Sequence, residues 1–165
     1  MWKYLLVSML ILSSSLFGQK KTSPRMETSG SIDGVRVEVT YGAPSVKGRS
    51  IFGDLVEYNK VWRTGANENS IIMISQDLIV GGERLAAGTY GLFTTPGARA
   101  WKIHFNSESD NWGAFGYNKS NDVLVVSTDV ASTENVVEQM TMHFTEESLI
   151  IEWDKTAIVI PFSKP

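Results

Sequence analysis

The stretch Gly34-Val-Arg-Val-Glu-Val-Thr-Tyr41 alternates between apolar and polar residues without interruption. The apolar positions are Val35, Val37, Val39 and Tyr41, and the polar positions between them are Arg36, Glu38 and Thr40. Successive side chains of a β-strand point to opposite faces, so this period of two predicts a strand with one face in a core and one in water. The fold class depends on how often such strands return along the chain.

Short apolar runs bounded by turn residues recur after this stretch. The predicted strands are Ser70-Ile-Ile-Met-Ile-Ser75, Thr89-Tyr-Gly-Leu-Phe-Thr94, Trp101-Lys-Ile-His-Phe105, Val123-Leu-Val-Val-Ser127 and Glu134 to Phe144. The last of these fits a helical period as well, and the strands on both sides of it favour a strand. We therefore expect an all-β, single-domain antiparallel β-sandwich, and a barrel-like variant of the same strands is also allowed.

Two hairpins are also predicted. Asp77 to Leu85 is expected to turn at Gly81-Gly82, because two glycines can adopt the positive φ angles that a two-residue turn needs. At the end of the chain, Ser148-Leu-Ile-Ile-Glu-Trp153 and Ala157-Ile-Val-Ile-Pro-Phe162 are expected to form a closing hairpin through Asp154-Lys155-Thr156.

The N-terminus has the organisation of a secretory signal peptide. Lys3 provides a positive charge, Tyr4 to Leu12 is apolar, and small residues follow. We expect a signal peptide over residues 1–18, a loose polar leader over residues 19–33 and the β-sandwich domain over residues 34–165. The predicted location is exported, either periplasmic or extracellular. The apolar run is too short for a stable membrane span, and we expect none once the signal is cleaved.

The composition excludes several classes of function. The 165 residues carry a formal net charge of -3 and include no cysteine. A weakly acidic chain without a basic run lacks the positive surface that nucleic acid attracts, so we expect no nucleic-acid partner. Without cysteine there are no disulfides, thiolate metal ligands or cysteine nucleophiles. The sequence leaves the oligomeric state open.

The stretch from Tyr41 to Glu68 is the richest in chemistry. It is a long connection between two predicted strands, and long irregular connections on compact domains are more often functional than decorative. The ligand-binding residues predicted here are Tyr41, Lys47, Arg49, Trp62, Arg63, Asn67 and Glu68. The planar guanidinium groups of Arg49 and Arg63 can each donate two hydrogen bonds to a carboxylate or phosphate, and the Trp62 indole offers a flat apolar face. We expect a small polar ligand, either a carbohydrate or a small organic acid.

A structural role for the same residues is the main alternative. The arginines could pair with Asp54, Glu57 or Glu68 and fasten the loop to the sheet, with Trp62 in the core. The domain would then be a structural or protein-interaction module of the cell envelope. A glycoside hydrolase that uses Glu68 and a second carboxylate is a further alternative, although sequence spacing in a loop does not set the distance between such groups. Whether the chain is an enzyme stays open.

His104 and His143 are the only histidines, and both fall on the polar phase of a predicted strand. We expect both at the surface, and two isolated histidines are too few ligands to predict a metal site. The chain has no serine-hydrolase motif and no phosphate-binding loop that precedes a helix. We therefore expect no cofactor.

Three motifs in the Tyr41 to Glu68 stretch are specific in combination. They are Tyr41-Gly-x-Pro44, Lys47-Gly-Arg49-x-Ile-Phe-Gly-Asp-Leu55 and Val61-Trp-Arg-Thr-Gly-Ala-Asn-Glu68. Together with Ala87-Gly-Thr-Tyr90, Pro96-Gly97 and Trp112-Gly113 they resemble the domain of unknown function 2911 family. The resemblance implies an exported bacterial protein without an assigned activity. The chain departs from the family pattern at Glu57 and Asn59, where we expect Pro and Gly, and at Val125, where we expect Arg.

Overall fold

The computed structural model describes residues 23–165, so the predicted signal peptide over residues 1–18 lies outside the described residues. The strands are β1 (Arg25–Ile32), β2 (Val35–Gly42), β3 (Ser70–Ile74), β4 (Leu78–Val80), β5 (Glu83–Leu85), β6 (Gly88–Thr95), β7 (Ala100–Asn106), β8 (Asp122–Phe144) and β9 (Ser148–Ser163). In this part of the chain the only helical element is a 3₁₀ turn, Lys119–Asn121. The all-β prediction is confirmed, and the described residues contain no helix of the length and hydropathy needed to cross a bilayer.

The strands form one antiparallel sheet in the order β1-β2-β3-β6-β7-β8-β9-β4-β5. β8 changes partner along its length. Its first part, Asp122 to Asp129, pairs with β7, and its second part, Val130 to Phe144, pairs with β9. The end of β9 then pairs with β4 at Phe162 and Ser163. These long strands fold the single sheet into two facing layers. The sheet ends at β1 and β5 and is therefore not closed into the barrel-like variant.

Hydrogen bonds join the two layers where the chain leaves β2. The Val46 N–H donates to the Glu138 carbonyl at 2.7 Å. The Tyr41 hydroxyl accepts a hydrogen bond of 3.0 Å from the backbone N–H of Met142 on β8. The alternation that predicts β2 is confirmed, since Val37 and Val39 are fully buried and Tyr41 is 4% exposed. The core lies between the layers.

An aromatic cluster connects the Tyr41 to Glu68 stretch to the sheet. Trp62 stacks on Trp153 of β9 with ring centroids 5.9 Å apart. Phe52 meets Trp101 of β7 edge-on at 4.9 Å, and it also meets Trp62 and Trp153 edge-on. Such edge and stacked pairs are favourable beyond the apolar area that they bury. The long connection is therefore packed onto the core.

The assignment of residues 19–33 to a loose leader is wrong for the part that forms β1. Arg25–Ile32 pairs with β2 along its whole length, from Arg25 opposite Gly42 to Ile32 opposite Val35. β1 is an edge strand with mostly exposed side chains, so it lacks the apolar alternation that would have marked it as a strand. The β-domain consequently begins before residue 34.

The prediction of a closing hairpin is also wrong. Ser148–Ser163 is one continuous strand, and Asp154-Lys155-Thr156 lies inside it. Asp154 has a φ of 55°, and the β8–β9 register is irregular beside it, between Ser132 and Val137 and between Val137 and Thr141. The polar residues mark an irregularity in a long strand rather than a reversal of the chain. The Asp77 to Leu85 hairpin is confirmed, with φ angles of 57° at Gly81 and 91° at Gly82.

Candidate functional site

A cavity of about 260 Å³ opens within the Tyr41 to Glu68 stretch. We call it the cationic pocket, because Lys47, Arg49 and Arg63 line it together with Trp62. The other lining residues are Ser23, Pro44, Ser45, Leu55, Val56, Ala66 and Trp153. No Asp or Glu of residues 23–165 is among them. The pocket therefore combines positive charge with apolar and indole walls.

Backbone pairing fixes the segment that carries Trp62 and Arg63. The Trp62 N–H donates to the Thr94 carbonyl at 2.7 Å, and the Thr94 N–H donates back at 2.9 Å. The Ala66 N–H donates to the Gly42 carbonyl at 3.1 Å, which ties the segment to the end of β2. A Cβ on Gly42 would lie 2.0 Å from the Ala66 carbonyl oxygen, so only glycine permits this crossing. The pocket wall is rigidly attached to the sheet.

Arg49 is oriented by the loop itself. Its Nε donates to the Val46 carbonyl at 3.0 Å, and its Nη2 donates to the Ser45 carbonyl at 2.5 Å. These bonds leave other N–H groups of the guanidinium for a ligand. Lys47 has a φ of 49°, and its backbone N–H donates to the Glu138 carboxylate at 2.9 Å. Local backbone carbonyls therefore orient the Arg49 guanidinium, and Glu138 fixes the backbone of Lys47.

Arg63 is the unusual member of the pocket. Its Nε is buried and has no hydrogen-bond partner among the described residues. The same is true of Nε1 of Trp153, which lines the same cavity. Burial lowers the pKa of the Arg63 guanidinium below its ordinary value, because the surroundings offer the charged form little solvation. Two residues of the cavity lining thus each carry a buried donor without an acceptor among the described residues.

Two of the three carboxylates of the alternative staple, Asp54 and Glu57, do not pair with these arginines in the described part of the chain. The carboxylate of Glu57 pairs instead with Lys60 at 2.6 Å. Asp54 is exposed. Trp62 is 8% exposed and belongs to the core cluster while one part of it lines the pocket. The core and pocket interpretations of Trp62 are therefore compatible.

The remaining predicted ligand-binding residues do not line the cationic pocket. Tyr41 is buried with its hydroxyl against the backbone of β8, and burial raises the pKa of that hydroxyl. The Asn67 amide donates to the Ser23 carbonyl at 3.4 Å. Glu68 lies near Arg25 and interacts with it electrostatically. These three residues hold the stretch against β1 and the core.

A second polar group lies where β6, β7 and β8 run side by side. We call Thr95, His104, Asn106, Tyr117 and Asp122 the His104 cluster. His104 Nδ1 lies 2.9 Å from Asp122 Oδ2, and His104 Nε2 lies 2.9 Å from Thr95 Oγ1. The Tyr117 hydroxyl donates to Asp122 Oδ2 at 2.6 Å, and the Asn106 amide donates to Asp122 Oδ1 at 2.8 Å.

The prediction that His104 lies at the surface is wrong. The side chains of His104 and Asp122 are 8% and 5% exposed. His104 lies on the face of β7 that its phase predicts, since Trp101, Ile103 and Phe105 are the core positions. It is buried there because Tyr117 packs edge-on against the imidazole and Asp122 bonds to it. His143, in contrast, is exposed as predicted, with a side-chain exposure of 48%.

The His104 cluster borders a second, larger cavity of about 530 Å³. The lining residues are Val61, Thr95, Lys102, His104, Tyr117, Lys119, Val125, Val126 and Ser127. Val125, where the sequence departs from the family pattern, lies opposite His104 in the β7–β8 register. Val61 lines this cleft while Trp62 and Arg63 line the cationic pocket, so the two cavities lie on either side of one short segment.

Tyr117 has a strongly raised pKa. Burial is the main cause, and the hydrogen bond to the Asp122 carboxylate and the charge of that carboxylate add to it. Tyr117 therefore stays protonated and donates to Asp122 over the whole physiological range. In the described residues, no group of three or more His, Asp or Glu side chains is arranged to hold a metal ion.

The comparison with protein families gives one result. The family model described as protein of unknown function (DUF2911) matches residues 23–162. No curated protein and no solved structure matches the chain. The matched range begins just before β1 and ends within β9, so it includes both cavities.

Proposed function

The chain belongs to the DUF2911 family of proteins of unknown function, and we propose that it is an exported binding protein for a small organic acid. The ligand would occupy the cationic pocket. The observation that carries the proposal is the buried Nε of Arg63, which has no acceptor among the described residues. An unpaired buried donor is costly, and an anion that accepts from it would remove that cost.

The anionic end of the ligand would lie between Arg63 and Arg49. A guanidinium donates along two parallel N–H bonds to a carboxylate, which suits a carboxylate better than a hydroxyl. Lys47 adds a third positive charge to the pocket lining. None of the described acids lines the cavity, so the charged side chains of its lining are all positive. This distribution favours an acid over a neutral sugar.

The body of the ligand would lie along the indoles. Trp62 and Trp153 line the pocket, and the unpaired Nε1 of Trp153 offers one donor for a hydroxyl or carbonyl oxygen. A volume of about 260 Å³ suits a ligand smaller than a drug-sized molecule. Sugar acids and short dicarboxylic acids have this combination of size, negative charge and hydroxyl or apolar body.

The test is ligand-dependent thermal stability of the purified protein. The probes are glucuronate, gluconate, succinate, inorganic phosphate and, as the uncharged counterpart of glucuronate, glucose. A ligand at about 100 times its dissociation constant adds about 2.7 kcal/mol to the free energy of unfolding. We expect an acid to raise the melting temperature and glucose to have no effect.

Two variants decide where the acid binds. Arg63→Gln should abolish the shift in melting temperature, because it removes the positive charge and the paired N–H donors of the guanidinium. Arg99→Gln is the matched control, since Arg99 is an exposed arginine between β6 and β7 and should leave the shift intact. An equal shift with Arg63→Gln, or an equal response to glucose and glucuronate, would overturn the proposal.

A protein-interaction role is the second candidate, and one observation favours it. Trp112 and Phe115 are 61% and 95% exposed on the loop between β7 and β8. Two exposed aromatic side chains on one loop are typical of a contact surface. A Phe115→Ser variant should reduce crosslinking to an envelope partner if this role is correct. Unchanged crosslinking would remove it.

A further inference from the structure

We propose that Thr95 is a nucleophile for the hydrolysis of small carboxylic esters, with His104 as its general base and Asp122 as the group that orients the histidine. The site is the cleft of about 530 Å³ and is separate from the cationic pocket. The proposal rests on hydrogen-bond geometry, so a failure of the proposed acid binding would not affect it.

The hydrogen-bond pattern determines which way the protons point. Asp122 accepts from the Asn106 amide at one oxygen and from the Tyr117 hydroxyl at the other. An ionised carboxylate only accepts, so His104 Nδ1, at 2.9 Å from Asp122 Oδ2, carries the proton and donates it. The other ring nitrogen, Nε2, is then the bare acceptor. It lies 2.9 Å from Thr95 Oγ1, so the threonine hydroxyl donates to it.

This order of contacts is that of a nucleophile, a base and an orienting acid. A hydroxyl bonded to an imidazole, whose far nitrogen is bonded to a buried carboxylate, is the arrangement that activates alcohol nucleophiles on unrelated folds. The three groups come from β6, β7 and the start of β8, which are hydrogen-bonded neighbours in one sheet. Their positions are therefore held by the sheet and not by a flexible loop.

Tyr117 and Asn106 keep this arrangement in place. With its strongly raised pKa, Tyr117 remains a donor to Asp122 and does not compete with His104 as a base. The Asn106 amide donates both to the Asp122 carboxylate and to the Asn118 carbonyl at 3.0 Å, which fixes the carboxylate against the loop. Both are positioning residues, because they act on Thr95 only through Asp122 and His104.

The cleft defines the substrate class. Thr95 and His104 both line it, so the hydroxyl and the base are accessible from one space. Val61, Val125 and Val126 form an apolar wall suited to a short acyl chain. Lys102 and Lys119 also line the cleft and supply positive charge for a carbonyl oxygen that becomes negative during attack. A small ester with an apolar acyl group fits these requirements.

The reaction is balanced by the groups present and water. Thr95 Oγ1 forms a bond to the ester carbonyl carbon while its proton moves to His104 Nε2. The tetrahedral intermediate breaks its bond to the alcohol oxygen, which takes the proton from Nε2 and leaves. Water then attacks the acyl-threonine with its proton passing to Nε2, and this proton returns to Oγ1 as the carboxylic acid departs.

The experiment uses p-nitrophenyl acetate and p-nitrophenyl butyrate with the purified protein. We expect a burst of p-nitrophenolate followed by slower turnover, and an acetyl group on Thr95 in the peptide mass spectrum of the trapped protein. His104→Gln and the near-isosteric Thr95→Val should each abolish the burst. Thr95→Ser should keep it, with the acetyl group at the same position.

Thr128→Val is the matched control, because it makes the same substitution as Thr95→Val at a threonine outside the lining of the cleft. The Thr128 hydroxyl donates to the Val159 carbonyl at 2.7 Å. The variant should keep the burst. The proposal is overturned if residue 95 is not acetylated, or if His104→Gln is acetylated as fast as the unaltered chain. Should His104→Gln fail to fold, Thr95→Val alone decides, because a burst that survives it places the nucleophile elsewhere.

Discussion

The cationic pocket and the His104 cluster lie on either side of residues 61–63 and satisfy their polar groups in opposite ways. In the pocket, the Arg63 Nε and the Trp153 Nε1 are buried without an acceptor among the described residues. In the cluster, the Asp122 carboxylate accepts from His104, Tyr117 and Asn106. The pocket leaves two buried donors without an acceptor in the described residues, whereas the polar groups of the cluster bond to one another.

The difference indicates different roles. A buried donor without an acceptor costs free energy and favours an external partner that accepts from it, which is why the pocket suggests binding. A saturated network fixes side chains in one geometry, which is what chemistry at a fixed atom requires. The four predictions below test this contrast from the largest expected effect to the smallest.

Trp62→Ala should be the most destabilising change at either site. Trp62 is 8% exposed and contacts Phe52, Trp101 and Trp153, so its removal leaves a cavity in the core cluster. Truncation of a buried tryptophan costs about 3–5 kcal/mol, measured by urea unfolding. Trp112→Ala, at a side chain 61% exposed, should cost much less. Equal losses would contradict a stabilising role of Trp62 in the core cluster.

Asp122→Asn should destabilise the chain by about 1–3 kcal/mol, because an amide nitrogen would then face donors that need an acceptor. The control is Asp129→Asn, an exposed residue on the same strand, which should change the free energy of unfolding little. If the two variants unfold at the same urea concentration, the His104 cluster does not stabilise the fold as the hydrogen bonds indicate.

The free energy of unfolding should fall above pH 10, because the Tyr117 hydroxyl ionises more easily in the unfolded chain. Its pKa is raised in the folded state from an ordinary value of 10.0, so the unfolded chain loses this proton first. The stabilisation is therefore fully present below pH 10 and is lost as the pH rises towards the raised pKa. Melting temperatures measured between neutral pH and strongly alkaline pH should fall less steeply in Tyr117→Phe. Parallel curves for the two proteins would contradict the assignment.

Arg63→Met should leave the free energy of unfolding within about 0.5 kcal/mol of its original value, or raise it, because the variant removes a poorly solvated charge and an unpaired donor. The same variant should lose acid binding in the thermal assay. A loss of stability similar to that of Asp122→Asn would mean that Arg63 is satisfied in solution, and the contrast between the two regions would fail.

Much of the fold could be predicted because its signals are local. The alternation in Val35 to Tyr41, the apolar run at Ser70 and the paired glycines at Gly81-Gly82 each specify an element from neighbouring residues alone. β1 could not be found in this way, since an edge strand with exposed side chains has no apolar phase. The continuity of β9 through Asp154 also depends on pairing with β8 and β4, which are distant in sequence.

The two sites also differ in whether their residues are close together in the sequence. Lys47, Arg49, Trp62 and Arg63 lie within one short stretch, so composition alone pointed to them, and the pocket that they line is built mostly by that stretch. Thr95, His104 and Asp122 are separated along the chain and meet only because β6, β7 and β8 are adjacent. His104 is buried on the outer face of β7 by Tyr117 and Asp122, and period-two reasoning does not anticipate that a later part of the chain covers an outer position.

The sequence by itself determined the all-β class, the family and the stretch that carries the cations, because each rests on periodicity or on contiguous motifs. The tertiary structure alone decided which cations share a cavity, that Arg63 and Trp153 lack acceptors in the described residues, and that His104 is buried between Thr95 and Asp122. The physical reason is that hydrogen-bond satisfaction depends on distances between strands, and strand order and register are set by the packing of the whole sheet.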